Sequence, residues 1–154
     1  MKRSKSIFDK IGALIPGYRG YAERDSRRNC DKLIRNQISE KLSECVLNIN
    51  NKIKIEIKNS NFDTLQELEE CRQKFNILSD KIKYAPYGES SLFGDSQIKE
   101  DELQKIYELD FELYSLLQES EKHLAEATIL DILIYIGSIE TMINKRNNFI
   151  KEYK

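Results

Sequence analysis

The residues best suited to chemistry stand close together: Tyr18, Arg19 and Tyr21, then Arg24, Arg27, Arg28, Asp31 and Arg35. From Arg24 onward the charged positions recur at three- and four-residue steps, which on a helix gives several guanidinium groups and one carboxylate a shared face. A guanidinium is a planar, permanently charged fork that grips carboxylate or phosphate through paired hydrogen bonds, and a neighbouring carboxylate orients it. Tyrosine and arginine also dominate the residues that carry binding energy in protein contacts. The chemistry on offer is recognition rather than bond making. The segment reads either as a contact surface for a protein partner or a second copy, or as a helix start stapled by its tyrosines, with arginines in surface ion pairs.

Bond-making chemistry is not indicated elsewhere. The single histidine, His123, has Ser120 rather than a glutamate three residues before it, so neither an imidazole pair nor the Glu-x-x-His of di-iron bundles is present. The run from Gly88 to Gly94 lacks the spacing of a nucleophile elbow, and neither glycine-rich phosphate loop occurs. Asp110 and Glu112 fall on different sides of a helix and read as solvated. Cys30, Cys45 and Cys71 are far apart without a C-x-x-C, which points to reduced, buried thiols. The expectation is a binding module without catalytic residues, cofactor, metal or small-molecule substrate.

Charge is unevenly spread. The chain carries 25 Lys and Arg against 26 Asp and Glu, but residues 1–35 hold ten bases and four acids, whereas residues 95–126 hold ten acids and three bases. The basic start is expected to lie across the acidic helix, of its own chain or of a second copy, or else to meet an anionic external partner. Nucleic acid is the weakest such partner, because the chain as a whole is mildly acidic and its basic face short.

These groups have to be positioned by helices. Both prolines and five of the six glycines fall within Gly12–Gly20 and Pro86–Gly94, leaving the rest of the chain free to be helical. Ile34, Ile38, Leu42, Val46, Ile49, Ile53 and Ile57 form an amphipathic stripe from about Ala22 to Lys58. Ile53, Ile55 and Ile57 also alternate as in a strand, but an isolated strand would have nothing to pair with. Asn59-Ser60-Asn61 ends that helix, and Asp63 with Gln66 reads as a capping box for a second, striped by Leu65, Leu68, Cys71, Phe75, Leu78 and Ile82. Beyond a connection at residues 84–97, whose Tyr84, Tyr87, Leu92 and Phe93 are expected to dock on the bundle, Leu103 to Leu117 opens a third helical region. It is either one helix or two divided near Ser120–Thr128. Ile129–Ile136 is apolar nearly all round and is expected to be the most buried element. The fold class is all-α: a single domain over residues 1–154, an antiparallel bundle of three or four long helices with a short amphipathic helix in front.

That first helix carries Ile7, Phe8, Ile11, Leu14 and Ile15 on one face, beside Lys2, Arg3, Lys5 and Lys10. Such a helix either closes the bundle core or lies in an anionic membrane surface. The chain's start, Ile7-Phe8-Asp9-Lys10-Ile11 with Leu14-Ile15-Pro16-Gly17-Tyr18-Arg19-Gly20-Tyr21, then Arg27-Arg28 and Asp31-Lys32-Leu33-Ile34-Arg35, resembles that of a family of small uncharacterised bacterial proteins. Those proteins open with an apolar helix, a P-G-Y-x-G-Y turn and a charged helix with paired arginines. The resemblance covers about the first quarter of the chain and implies a bacterial cell and a Tyr/Arg signature, but no activity. No apolar run reaches membrane-spanning length and the start lacks an uninterrupted signal-peptide core, so a cytoplasmic location is expected. The functional expectation is a helical interaction or scaffold module, self-associating, with peripheral membrane attachment through residues 1–15 as the alternative.

Overall fold

The computed structural model describes residues 6–87, 90–94 and 97–153. Among these there are six α-helices and no strand: α1 (Ile7–Leu14), α2 (Arg27–Lys58), α3 (Leu65–Lys83), α4 (Ser91–Gly94), α5 (Glu100–Leu124) and α6 (Ile129–Lys151). Lys2, Arg3, Lys5, Gly88 and Asp95, which entered the expectations above, lie outside the described residues.

Local chemistry accounts for the helix ends. A capping box starts α1: Asp9 N–H donates to the Ser6 hydroxyl, and Ser6 N–H donates to the Asp9 carboxylate. Helix α2 is helical through Ile53, Ile55 and Ile57 and stops where Ser60 takes a left-handed conformation, φ 56°. There Ser60 N–H donates to the Ile57 carbonyl and Asn61 N–H to that of Glu56, the paired bonds that satisfy a helix's last carbonyls. The start of α2 lies at Arg27 rather than Ala22, because a 3₁₀ turn, Arg24–Ser26, comes first. The capping box expected at Asp63 and Gln66 does not form; a 3₁₀ turn, Phe62–Thr64, leads into α3 instead. The region after residue 97 is two helices, and the second begins with a box that the sequence reading overlooked, Thr128 with Asp131.

Helix α2 packs against α3 and α5, and α6 against α5 and α3, so the four long helices enclose one core. Their stripes fill it: Ile34, Ile38, Leu42 and Ile49 from α2, Phe75 and Ile82 from α3, Leu113 and Leu117 from α5, Ile139 and Ile143 from α6. Each such side chain contributes about 1.5–3 kcal/mol by leaving water. Helix α1 lies on α5, with Ile11 and Ile15 buried. Tyr87, Leu92 and Phe93 of the 84–97 connection dock as expected, whereas Tyr84 stays exposed.

One expectation is reversed. Ile132 and Ile136 are buried, but Leu130, Leu133 and Ile134 are 68%, 39% and 57% exposed, so Ile129–Ile136 is not the most enclosed element. Helix α6 has packing neighbours on its α3 and α5 sides, and its opposite side faces outward. No helix among the described residues is long and apolar enough to cross a membrane.

Candidate functional site

Four of the eight Tyr/Arg/Asp residues singled out by spacing, Tyr18, Tyr21, Asp31 and Arg35, converge on a buried polar cluster, and its centre is Arg146 on α6. This guanidinium is fully enclosed. Its Nε donates to Asp110 Oδ1 at 2.7 Å, Nη1 to the Tyr87 hydroxyl at 2.8 Å, and Nη2 to Asp31 Oδ1 at 2.9 Å and the Tyr21 hydroxyl at 3.1 Å. The tyrosines pass the interaction on: Tyr21 donates to Asp110 Oδ2 at 2.5 Å, Tyr18 to the same oxygen at 3.2 Å, and Tyr87 to Asp31 Oδ1 at 2.9 Å. Arg35 closes the outer edge, donating to Asp31 Oδ2 at 2.9 Å and to the last-turn carbonyl of Lys83 at 2.6 Å. Two arginines therefore face two aspartates, and each carboxylate oxygen accepts at least one hydrogen bond. Burying such charges costs several kcal/mol per ion unless every group is satisfied, and here the groups saturate one another.

The Pro16–Ser26 segment reaches the cluster through glycines held at positive φ, Gly17 at 83° and Gly20 at 84°. A β-carbon on Gly20 would stand 2.7 Å from the Phe8 ring and closer still to the Tyr107 hydroxyl. That hydroxyl accepts Tyr21 N–H at 3.0 Å. Arg27 then ties the segment down, donating from Nε to the Tyr21 carbonyl at 2.9 Å and from Nη1 to that of Leu92 at 3.2 Å.

Burial shapes the titration of the cluster. Desolvation raises Asp110 above the usual carboxylate range, against the opposing pull of Arg146. Desolvation alone would lower Arg146, but Asp110, Tyr87, Tyr21 and Asp31 together push it well above the ordinary arginine value. Tyr18 and Tyr21 are raised by burial and by Asp110, Tyr87 is pushed up to about 12, and the enclosed Cys30 thiol likewise to about 12.

The expected contact face is thus divided. Tyr18, Tyr21, Arg27 and Asp31 are buried and Arg35 is half-buried, so in this conformation they face inward rather than toward a partner; Arg19, Arg24 and Arg28 face outward. The reason is that Asp110 and Arg146 supply polar partners for Tyr18, Tyr21 and Asp31, while backbone carbonyls receive Arg27, and Asp31 together with the Lys83 carbonyl receives Arg35. Asp110 itself, read as solvated, is fully enclosed. Of the candidate membrane residues, Ile11 and Ile15 are buried and Ile7 half-buried, whereas Phe8, whose ring lies near Tyr18 and Tyr107, is 36% exposed, Leu14 is 38% exposed, and Lys10 faces outward. The Lys10 ammonium lies 5.8 Å from the Phe111 ring, and among the described residues no ion pair joins α1 to the acidic α5.

Asp110, Arg146 and Tyr87 were missed as site residues, although a signal for two of them was present. Asp110 occupies the apolar stripe between Ile106 and Leu113, and Arg146 the stripe between Ile143 and Ile150. A lone charge inside a helical apolar stripe needs a buried partner.

Two features lie on the surface, away from the cluster. A groove of about 730 Å³ between α2 and α5 is lined by Lys41, Glu121 and His123 among others, and Lys41 pairs with Glu121 across it at 3.1 Å. Glu44 lies 3.9 Å from the same lysine, and its hydrogen bond with Glu121 raises it above the ordinary glutamate value. The other feature is the outer ridge of α6, where Leu130, Leu133 and Ile134 are flanked by Ile77 of α3 and the half-buried Leu116 of α5. Compared with known proteins, the chain matches no family model, no curated protein and no solved structure, so the resemblance of its opening assigns it to no family.

Proposed function

We propose that this protein is a non-enzymatic helical bundle that works as an interaction or scaffold module, presenting the outer ridge of α6 to a protein partner. The observation that carries the reading is the contiguous exposure of Leu130, Leu133 and Ile134 on one helix whose opposite side is well packed. Scattered exposed leucines are ordinary, but an apolar patch shared by neighbouring helix turns and rimmed by charge is the usual mark of a contact site. Helices α2, α3, α5 and α6 form the bundle in this reading. The buried Arg146 cluster serves as an internal clasp that holds the N-terminal segment and the 84–97 connection to it, and so keeps the ridge on a fixed support. Membrane attachment through α1 is the weaker reading, because Ile11 and Ile15 already bury its apolar face against α5.

A photo-crosslinking side chain at position 134, with position 36 on exposed α2 as control, tests the proposal in the cell. Protein adducts at 134 and none at 36 are expected. Equal labelling of the two positions, or none at either, would remove the ridge as the contact.

A further inference from the structure

We infer that the partner of the α6 ridge is a second copy of this chain, with the two α6 helices parallel about a two-fold axis running along them; this rests on the ridge being a protein contact. The outward positions Leu130, Ile134, Gly137 and Thr141 are spaced four, three and four residues apart. Within an exposed face that also holds Asp131, Leu133, Ser138 and Glu140, these four follow the 3.5-residue repeat of a two-helix seam. Thr141 brings no unsatisfied donor to the seam, since its hydroxyl donates to the Gly137 carbonyl at 2.9 Å.

Gly137 supplies an independent observation. It sits inside α6, where glycine destabilises a helix relative to alanine. Yet a β-carbon there would meet nothing within 4 Å, so the chain's own packing does not require glycine. A helix of another molecule approaching closely at this turn gives the residue a reason.

Charge selects the second copy and its direction. In a parallel pair, side chains flanking the seam meet partners five residues further along, which sets Glu140 against the partner subunit's Lys145 twice over. On the α3 side the ridge is edged by Lys74 and Lys81, which line one groove with Ile77, Leu133 and Gly137. On the α5 side Leu116 lines the groove with Leu133 and Ile134, and Glu112, one helical turn before Leu116, is exposed. A two-fold along α6 exchanges the sides, so each basic edge faces an acidic one. An axis across α6 would instead oppose lysines to lysines. Among the described residues none of these five side chains forms an ion pair within the chain.

Sedimentation equilibrium on the full chain tests this. The expected result is a dimer whose dissociation constant rises about tenfold or more in Ile134→Glu. In Gly137→Ala it should rise while the thermal midpoint of the same protein also rises, a split that a merely destabilised fold cannot produce. Glu140→Lys and Lys145→Glu should each weaken the dimer, and the double exchange should restore it. Leu130→Cys and Thr141→Cys should each oxidise to a disulfide with their own counterpart. A monomer up to about 1 mM, where even millimolar affinity registers, would overturn the inference. So would a dimer indifferent to these changes, or one in which the thiol introduced at position 130 of one copy pairs with that at position 141 of the other. The crosslinks at position 134 in the cell decide the contact reading separately, since they report any protein partner.

Discussion

The two halves of α6 invert the usual arrangement in opposite ways. Its C-terminal half turns the charged Arg146 inward, among Ile139, Ile143 and Ile150; its N-terminal half turns Leu130, Leu133 and Ile134 outward. The inward charge is explained within the chain, because Asp31, Asp110, Tyr21 and Tyr87 are all within 3.1 Å of it. The outward apolar side chains have no such explanation. The C-terminal half therefore reports how the fold is fixed, and the N-terminal half where apolar surface is left uncovered by the chain's own packing.

The sharpest way to break that contrast is at Arg146. Arg146→Met should leave two buried carboxylates facing each other and cost about 3–5 kcal/mol in urea denaturation. Arg146→Lys should recover little, because one ammonium cannot serve two carboxylates and two hydroxyls from a planar fork. A loss below about 1 kcal/mol would mean that water reaches the cluster.

The clasp should also fail in base. Tyr87 is raised to about 12 in the folded chain, against about 10 in the unfolded chain. A group with a raised folded value contributes fully below its unfolded value and loses that contribution as pH climbs through the folded one. Stability should thus fall between about pH 10 and 12, by about 3 kcal/mol from Tyr87 alone. Tyr18 and Tyr21 are raised too and add to the fall. Phenolate absorbance should show these tyrosines ionising together with loss of helix. Ionisation of all eight tyrosines near pH 10 with the helices intact would contradict the closed cluster.

What the sequence makes legible is local. The stripes of α2, α3 and α5 and the breakers around Pro16 and Pro86 follow from a 3.6-residue period and backbone chemistry, and the helices lie where these place them. Residues 18–35 stand out for the same reason, their spacing. Their direction does not, because it depends on Asp110, which lies 92 residues from Tyr18, and on Arg146, 115 residues from Asp31. A face of arginines looks solvent-bound until a distant acid meets it. The orientation of Ile129–Ile136 fails similarly: apolarity on all sides says that a segment can be buried, and only its neighbours decide which side is.

Gly20→Ala probes the joint between segment and clasp. Its φ of 84° is strained for alanine and the added carbon runs into the Phe8 ring and the Tyr107 hydroxyl, so a loss of about 1–3 kcal/mol is expected in thermal or urea unfolding. No loss would mean that Pro16–Ser26 rests loosely on α5 and that the clasp is confined to the long helices.

The smallest effect on folding is expected at the ridge, and its smallness is informative. Replacing Leu130 or Ile134 with glutamine should change the stability of the isolated protein by no more than about 0.5 kcal/mol, since exposed positions away from caps and networks rarely do more. Leu133, at 39% exposure, should respond somewhat more strongly because part of it lines the groove against Ile77 and Leu78. If urea denaturation at a concentration where the protein is monomeric gave losses of about 2 kcal/mol at Leu130 or Ile134, these side chains would belong to the chain's own core. A near-zero loss leaves them as apolar surface that this chain's fold does not need, while the inward charge at the other end of the same helix remains one that it cannot lose.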